Sequence, residues 1–437
     1  MKKLLFAIWS MLFVMAIQAQ QADMRVGELI NRSDWFSLEE EYPVLKDSIQ
    51  ADFLKLLAEA MLATNFNQPD RAIECIGQLM AEHQGELGFG NIQNLVTLAS
   101  SIDWNRGNYA RSADGLKDFI SGVKAAGMTE DIEPVANLYE FFNQFRDLPS
   151  PALTRPDKDV EVAVSIEKVK LPTSVDEKGW RGTQILMPVT VHGKEYHFIF
   201  DTGAGTTYMS ERFAKEVGVS IVKDSFLING GLPGASYGML GYLDSLQVGE
   251  MTFHNAKVTI ARPNAMDSVL QVDAILGIDF MNLTGEFQIY PKEGKVVFPL
   301  QSTRLPATGR NLMMPNGCPV LKAYSGNDLL KFIFDTGCTT GELYYPYYQK
   351  YKDRLDSIGK KDSGIGGGFN FIEKKEILRI PSASFSIGDI PVEISDISVS
   401  YVPVTYGGNE DGILGMSLVN LFRKVTVNLK DMFVTFE

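Results

Sequence analysis

A six-residue string occurs twice in this chain: Phe198-Ile199-Phe200-Asp201-Thr202-Gly203 returns unchanged, 134 residues later, as Phe332-Ile333-Phe334-Asp335-Thr336-Gly337. The echo extends beyond the string. Val248-Gly249-Glu250-Met251 is answered by Ile387-Gly388-Asp389-Ile390, and Asp273-Ala274-Ile275-Leu276-Gly277 by Asp411-Gly412-Ile413-Leu414-Gly415. From the repeated Asp to the Ile of Ile-Leu-Gly is 74 residues in one copy and 78 in the other. Matched features at matched spacing mark a duplicated unit, so two similar lobes are expected, 179–300 and 301–437, joined near Gln301 to Gly309. The surrounding texture is that of strands. β-branched residues fall at every second position in Val160-Glu161-Val162-Ala163-Val164 and Val189-Thr190-Val191, and turn signals such as His192-Gly193 separate short apolar runs.

Ending an apolar strand with Asp-Thr-Gly has a chemical consequence. The strand delivers a carboxylate into a poorly solvated place, a small Thr can bond across to its counterpart, and Gly admits a close neighbour. One such carboxylate would be a costly buried charge. Two of them, brought together by pseudo-twofold symmetry, cannot both ionise and share a proton. The ionised member can then take a proton from water while the protonated member donates to a substrate carbonyl.

The doubled motif resembles that of aspartic proteases, both the two-lobed pepsin type and the retroviral type, in which two identical subunits each supply one Asp-Thr-Gly. The resemblance covers roughly Gly179 to Glu437. It implies a bilobal, mainly β-barrel fold with Asp201 and Asp335 as the catalytic dyad, and Thr202, Gly203, Thr336 and Gly337 as its support, the two threonines gripping each other across the lobes. Ile275-Leu276-Gly277 and Ile413-Leu414-Gly415 would pack beneath the catalytic loops, with Asp273 and Asp411 in strand-edge or turn positions. A flap is expected in Asn229 to Tyr242, where Gly231 and Gly234 permit unusual backbone angles and Tyr237 is a candidate for its tip or wall. Gly366 and Gly367 lie in a second glycine-rich segment, and two flap-like segments resemble the retroviral arrangement. The implied reaction is hydrolysis of a peptide bond in a peptide or protein substrate by activated water, with no cofactor and no metal, in a monomer that encodes both halves of its site.

Two departures from the pepsin pattern matter. The residue after Asp-Thr-Gly is usually Ser or Thr, whose hydroxyl bonds the carboxylate; here it is Ala204 in one copy and Cys338 in the other. The loss of a donor to the charged form should let the dyad keep its proton to higher pH, unless Thr206, Thr207 or Thr339 supplies the bond from another position. A Cys318–Cys338 disulfide is conceivable because both cysteines flank one predicted hairpin.

The rest of the chain reads differently. Lys2 and Lys3, the apolar run Leu4 to Ala16 and Ile17-Gln18-Ala19 predict a secretory signal peptide over 1–19, hence an exported protein, periplasmic or secreted, with no membrane span after processing. From 20 to 148 the apolar residues follow helical spacing, as in Phe53-Leu54-Leu56-Leu57-Ala60-Met61, predicting an α-helical domain. Phe66-Asn67, Ala72 and Gly77 recur as Trp104-Asn105, Ala110 and Gly115, an offset of 38 residues that suggests helical hairpins similar to tetratricopeptide repeats or a small bundle. Residues 149–178, with Pro149, Pro151 and Pro156, read as a linker and leading strand. A net charge of −13 disfavours nucleic acid and anionic lipid as partners, while a protein partner for the helical domain stays open. Three cysteines cannot build a disulfide framework, and four scattered histidines give no zinc pattern. A catalytically silent peptide-binding protein or scaffold, and a glycoside hydrolase using two carboxylates, are the rival classes.

Overall fold

A computed structural model describes residues 20–128, 131–170, 180–228, 236–262, 272–368, 371–403 and 409–437. The signal peptide expected over 1–19 lies outside them. The chain divides between Leu148 and Pro149 into a helical unit and a β unit. The stretch read from sequence as a linker and leading strand is part of the β unit as far as it is described: Val160–Ala163, in the run with strand periodicity, pairs antiparallel with Lys295–Phe298, and Ala152–Thr154, in the part read as linker, pairs antiparallel with Met251–Ala261. Its prolines stop helices but are tolerated beside short edge strands, which is why composition alone suggested a tether.

In the helical unit, helices Asp52–Asn65 and Pro69–Glu82 form one hairpin, and Phe89–Asn105 and Tyr109–Ala125 another. The period is 40 residues, from Pro69 to Tyr109, and not the 38 suggested by the sequence match. The left-handed turn residues Asn67 and Gly107 obey it, as do the turn bonds from Gln68 N–H to Ala63 O and from Asn108 N–H to Asp103 O. Phe66 is a helix cap, whereas Trp104 is still inside its longer helix, stacked on Phe142 with ring centroids 5.3 Å apart. Matching the two aromatics therefore slipped the register.

The β unit repeats its architecture. In the first lobe six strands close into a ring: Lys194–Phe200, Trp180–Val191, Ser236–Val248, Met251–Ala261, Thr207–Ser210 and Ala274–Leu276. The second lobe closes the same ring from Asp328–Phe334, Val320–Ser325, Phe371–Ile387, Ile390–Val399, Gly341–Leu343 and Gly412–Leu414. Alternation explains the faces: Phe198 and Phe200 are fully buried in one lobe, Phe332 and Phe334 in the other. This is the two-lobed β fold expected after the helical domain.

A separate five-stranded sheet joins the lobes, with Glu286–Tyr290 of the first half pairing antiparallel to Val425–Asn428 of the second. Phe287 of this sheet meets Phe200 edge-on at 5.1 Å, so the strand leading to Asp201 rests on the shared sheet. Buried Glu286 accepts bonds from the N–H and hydroxyl of Thr303, both at 2.7 Å, and from Asn428 Nδ2 at 2.8 Å, tying the inter-lobe connection to both halves.

Candidate active site

Each aspartate is held by the same local construction. The short strand Ala274–Leu276 runs parallel to Lys194–Phe200 and antiparallel to Thr207–Ser210, so that it lies between the strand entering the Asp201 loop and the strand leaving it. In the second lobe Gly412–Leu414 lies likewise between Asp328–Phe334 and Gly341–Leu343. Asp201 N–H donates to Leu276 O at 3.1 Å, and Asp335 N–H to Leu414 O at 3.0 Å. The glycines of Ile-Leu-Gly are required by close approach: a Cβ on Gly277 would lie 2.8 Å from Ala204 O, and one on Gly415 2.8 Å from Cys338 Cβ.

The two loops are locked together by the threonines. Thr202 N–H donates to Thr336 Oγ1 at 3.0 Å, and Thr336 N–H to Thr202 Oγ1 at 3.0 Å. Each hydroxyl then donates onward across the lobes, Thr202 to Phe334 O at 2.8 Å and Thr336 to Phe200 O at 2.7 Å. Both side chains are fully buried, so all four groups depend on this exchange.

The lock brings the carboxyls together. A methyl on Gly203 would meet the Asp335 carboxyl carbon at 2.5 Å, and one on Gly337 would overlap the Asp201 carboxylate in the same way. Gly203 N–H donates to Asp201 Oδ1 and Gly337 N–H to Asp335 Oδ1, each at 2.7 Å. Asp335 Oδ1 takes a further donor, the Cys338 N–H, at 3.0 Å. Asp201 is pushed well above the usual carboxylate range by burial first, then by the Asp335 charge and a hydrogen bond between the two carboxyls, against the opposing pull of the Gly203 and Ala204 amides. The pair can therefore hold one proton between an acid and a base.

Two of the three hydroxyls that sequence left unplaced, those of Thr206 and Thr207, are engaged elsewhere. Thr206 bonds the Thr259 hydroxyl at 2.7 Å, and Thr207 donates to Asp279 Oδ1 at 3.0 Å. Cys318 and Cys338 are free thiols, so the conceivable disulfide is not formed. Burial, with the Asp335 charge next, pushes both thiols up, Cys318 to about 12. Neither then carries the thiolate that disulfide exchange needs. Asp411 is buried, accepting from Lys331 N–H at 2.9 Å and pairing with Lys350 at 2.7 Å, while Asp273 pairs with exposed Arg212. Both are structural, in the edge positions expected.

Of the expected flap residues, Gly231 and Gly234 lie outside the described residues. Tyr237 is exposed and stands opposite Leu227 in the hairpin formed by Ser220–Ile228 and Ser236–Val248. Gly366 and Gly367 face Glu373 and Ile372 in the second-lobe hairpin of Lys360–Gly368 and Phe371–Ile387. Each lobe thus carries one long hairpin in the corresponding place.

Sequence reasoning missed Lys257, Asp279, Glu342 and Lys375. Lys257 is buried and lowered to about 7 by that burial, against the raising effect of Asp279. Glu342 and Lys375 form an ion pair at 2.6 Å whose side chains are only 17% and 13% exposed. For Lys257 the available signal was a charged residue among the apolar positions of the strand Met251–Ala261.

Residues 187–283 match the family model described as "gag-polyprotein putative aspartyl protease". The match contains Asp201-Thr202-Gly203 and Ile275-Leu276-Gly277. No curated protein matches the chain in sequence. Among solved structures, an aspartic proteinase from Irpex lacteus is similar at a TM-score of 0.40 and 14% identity, over 63% of this chain and 96% of that one. The first lobe is thus similar in sequence to retroviral-type aspartyl proteases, and the second repeats its construction around Asp335.

Proposed function

We propose that this protein is an exported aspartic endopeptidase that hydrolyses peptide bonds with a water activated between Asp201 and Asp335. The observation that carries the reading is the paired carboxyls, held by a reciprocal threonine exchange, with Asp201 raised by burial and then by its partner's charge. Such a pair has no purpose in a merely structural junction, where one buried carboxyl crowded on another would only destabilise.

Amide donors serve both carboxyls alike, Gly203 and Ala204 for Asp201, Gly337 and Cys338 for Asp335, so the roles follow from the raised member: Asp201 holds the proton, and Asp335 is the base that takes a proton from water. Asp201 carries the shared proton and donates it to the substrate carbonyl oxygen as the water attacks. Proton return to the leaving nitrogen completes the cycle, with no covalent intermediate. The two hairpins would cover an extended peptide bound by strand-like pairing.

Cleavage of a mixed peptide library by the wild type, absent in Asp201→Asn, blocked by a statine-containing peptide and unaffected by a chelator, is the expected result. Hydrolysis that survives in Asp201→Asn would sink the reading. Both aspartates come from one chain, so specific activity should not fall on dilution. Export rests on Lys2, Lys3 and the apolar run after them. Amino-terminal sequencing of the mature protein, expected to begin at about Gln20, tests it.

A further inference from the structure

The loops that carry Asp201 and Asp335 match at the dyad, but one of them is braced from the opposite lobe. In the Asp335 loop three successive carbonyls are engaged. Cys338 O accepts from Met416 N–H at 2.9 Å, and Thr340 O accepts from Gly415 N–H at 3.1 Å and from the Ser417 hydroxyl at 2.8 Å, all within the second lobe. The carbonyl between them, Thr339 O, accepts from Thr183 N–H at 3.3 Å. Thr183 belongs to the first-lobe strand Trp180–Val191.

A second bond fixes that strand in place. Asn420 Nδ2 donates to Thr183 Oγ1 at 2.8 Å. Asn420 caps the C-terminal end of the short helix Met416–Val419, whose first N–H is the one that holds Cys338 O. Loop, helix, Asn420 and Thr183 thus form a closed circuit across the lobes. Gly182 lets it close. Its φ of 80° is left-handed, and a Cβ there would overlap Thr339 O and lie 2.8 Å from the Thr339 carbonyl carbon.

The Asp201 loop has a different surrounding. Leu186 stands opposite Ile199 and Val320 opposite Ile333, so Gly182 corresponds to Asn316 and Thr183 to Gly317. Asn316 keeps the left-handed backbone, with a φ of 53°. Gly317 N–H, however, turns back to Met314 O at 3.3 Å. Gly205 follows Asp201 as Thr339 follows Asp335, and nothing lies within 4 Å of the place its Cβ would take. Among the described residues the brace is one-sided, on the loop of the proposed base.

We propose that Thr183 and Asn420 are positioning residues for the hydrolysis: through Thr339 they hold the loop in which the Cys338 N–H meets Asp335 Oδ1 at 3.0 Å. The inference rests on the protease reading and deepens it. Cys338 and Thr339 are consecutive, so a loop free to shift at Thr339 carries the Cys338 amide with it, and the carboxylate that must face the attacking water loses one of its two amide anchors. Misplacement of a reacting group by a fraction of an ångström slows the chemical step. Substrate binding, which depends on the rest of the cleft, is left as it was, so the effect falls on kcat rather than KM.

The test is steady-state kinetics on a peptide that the wild type cleaves, with denaturant unfolding measured alongside. Thr183→Val and Asn420→Ala should each lower kcat by about threefold to tenfold with KM unchanged. Thr183→Ser keeps the accepting hydroxyl and should stay near wild type. The double variant Thr183→Val/Asn420→Ala should lose no more than either single one, because all three lack the same bond. Gly182→Ala pushes on Thr339 directly and should cost about 10²-fold. Where that variant does not fold, the Thr183–Asn420 pair, which is exposed, still decides the result. Wild-type kcat in folded Thr183→Val and Asn420→Ala overturns the positioning role whatever their stability, as does a change confined to KM, and both leave the protease reading intact. A wild type that cleaves no peptide overturns the protease reading, and the positioning role with it.

Discussion

The two lobes repeat one another closely at the catalytic loops and diverge a few residues away. Around the aspartates the agreement is atom for atom: glycine N–H to carboxylate at 2.7 Å in both, and threonine to threonine at 3.0 Å in both. One turn further the first lobe has Thr207 bonded to Asp279 with Lys257 buried nearby, whereas the second has Gly341 and Ser417, the latter bonded to Thr340 O at 2.8 Å. The difference separates what the chemistry demands of both halves from what each half was free to solve alone. A shared proton requires matched loops; the packing beneath them does not have to match.

The largest effect tests the matched part. Asp201→Asn and Asp335→Asn should each lower kcat by about 10²–10⁴-fold or more, because each removes half of one acid–base unit. Far-ultraviolet circular dichroism should stay that of the wild type. If one variant kept wild-type turnover, the two loops would not be functional equivalents.

Next is the threonine exchange. Thr202→Val and Thr336→Val each orphan a buried N–H and a buried C=O, at about 1–3 kcal/mol for each group left unsatisfied. Equal losses in denaturant unfolding are expected, since the two sets of bonds are alike. A loss confined to one variant would show that the grip is not reciprocal in solution.

The catalytic part was legible because it is written locally and twice. Asp201-Thr202-Gly203 and its copy carry their own strand, loop and partner, and symmetry supplies the long-range contact. What sequence did not show depends on tertiary neighbours. Glu342 and Lys375 are 33 residues apart and meet only because a hairpin folds over a strand. The helical hairpins slipped by two residues because aromatic identity was matched while helix length, 14 residues against 17, was not visible. The supposed linker hides strands as short as Ala152–Thr154, whose partner lies about a hundred residues on.

The unmatched part offers a smaller, one-sided effect. Asp279 is raised by burial, opposed by its bonds from Thr207 and Phe280, and it supports the charge on Lys257. Asp279→Asn should cost on the order of 1 kcal/mol or more below about pH 7, where Lys257 carries its charge and loses the favourable pull of Asp279. Lys257 is lowered in the folded state, to about 7, so its contribution to stability rises as pH climbs from there toward its unfolded value. The deficit of Asp279→Asn should therefore narrow above about pH 7 in thermal melts. Ser417→Ala in the other lobe should cost about 1 kcal/mol with no such pH dependence. Equal deficits in the two lobes, flat with pH, would erase the contrast.

The smallest effect sharpens the comparison within the dyad itself. Neither Ala204 nor Cys338 offers a hydroxyl, yet the two positions serve different partners: the Cys338 amide donates to the proposed base, and Ala204 follows the proposed acid. A serine hydroxyl at either place would stabilise the adjacent carboxylate and lower the pH at which it gives up its proton. For Ala204→Ser that carboxylate is Asp201, which must stay protonated to donate. The alkaline limb of the kcat/KM profile should move to lower pH, by up to about one unit. For Cys338→Ser it is Asp335, which must be charged to accept, so the acid limb should move down instead and activity should extend further into acid. Because the carboxyls titrate as a pair, each substitution will nudge both limbs, and the diagnostic is which limb moves more. Limbs that move in the reverse pattern would exchange the acid and base roles of Asp201 and Asp335 while leaving the dyad in place.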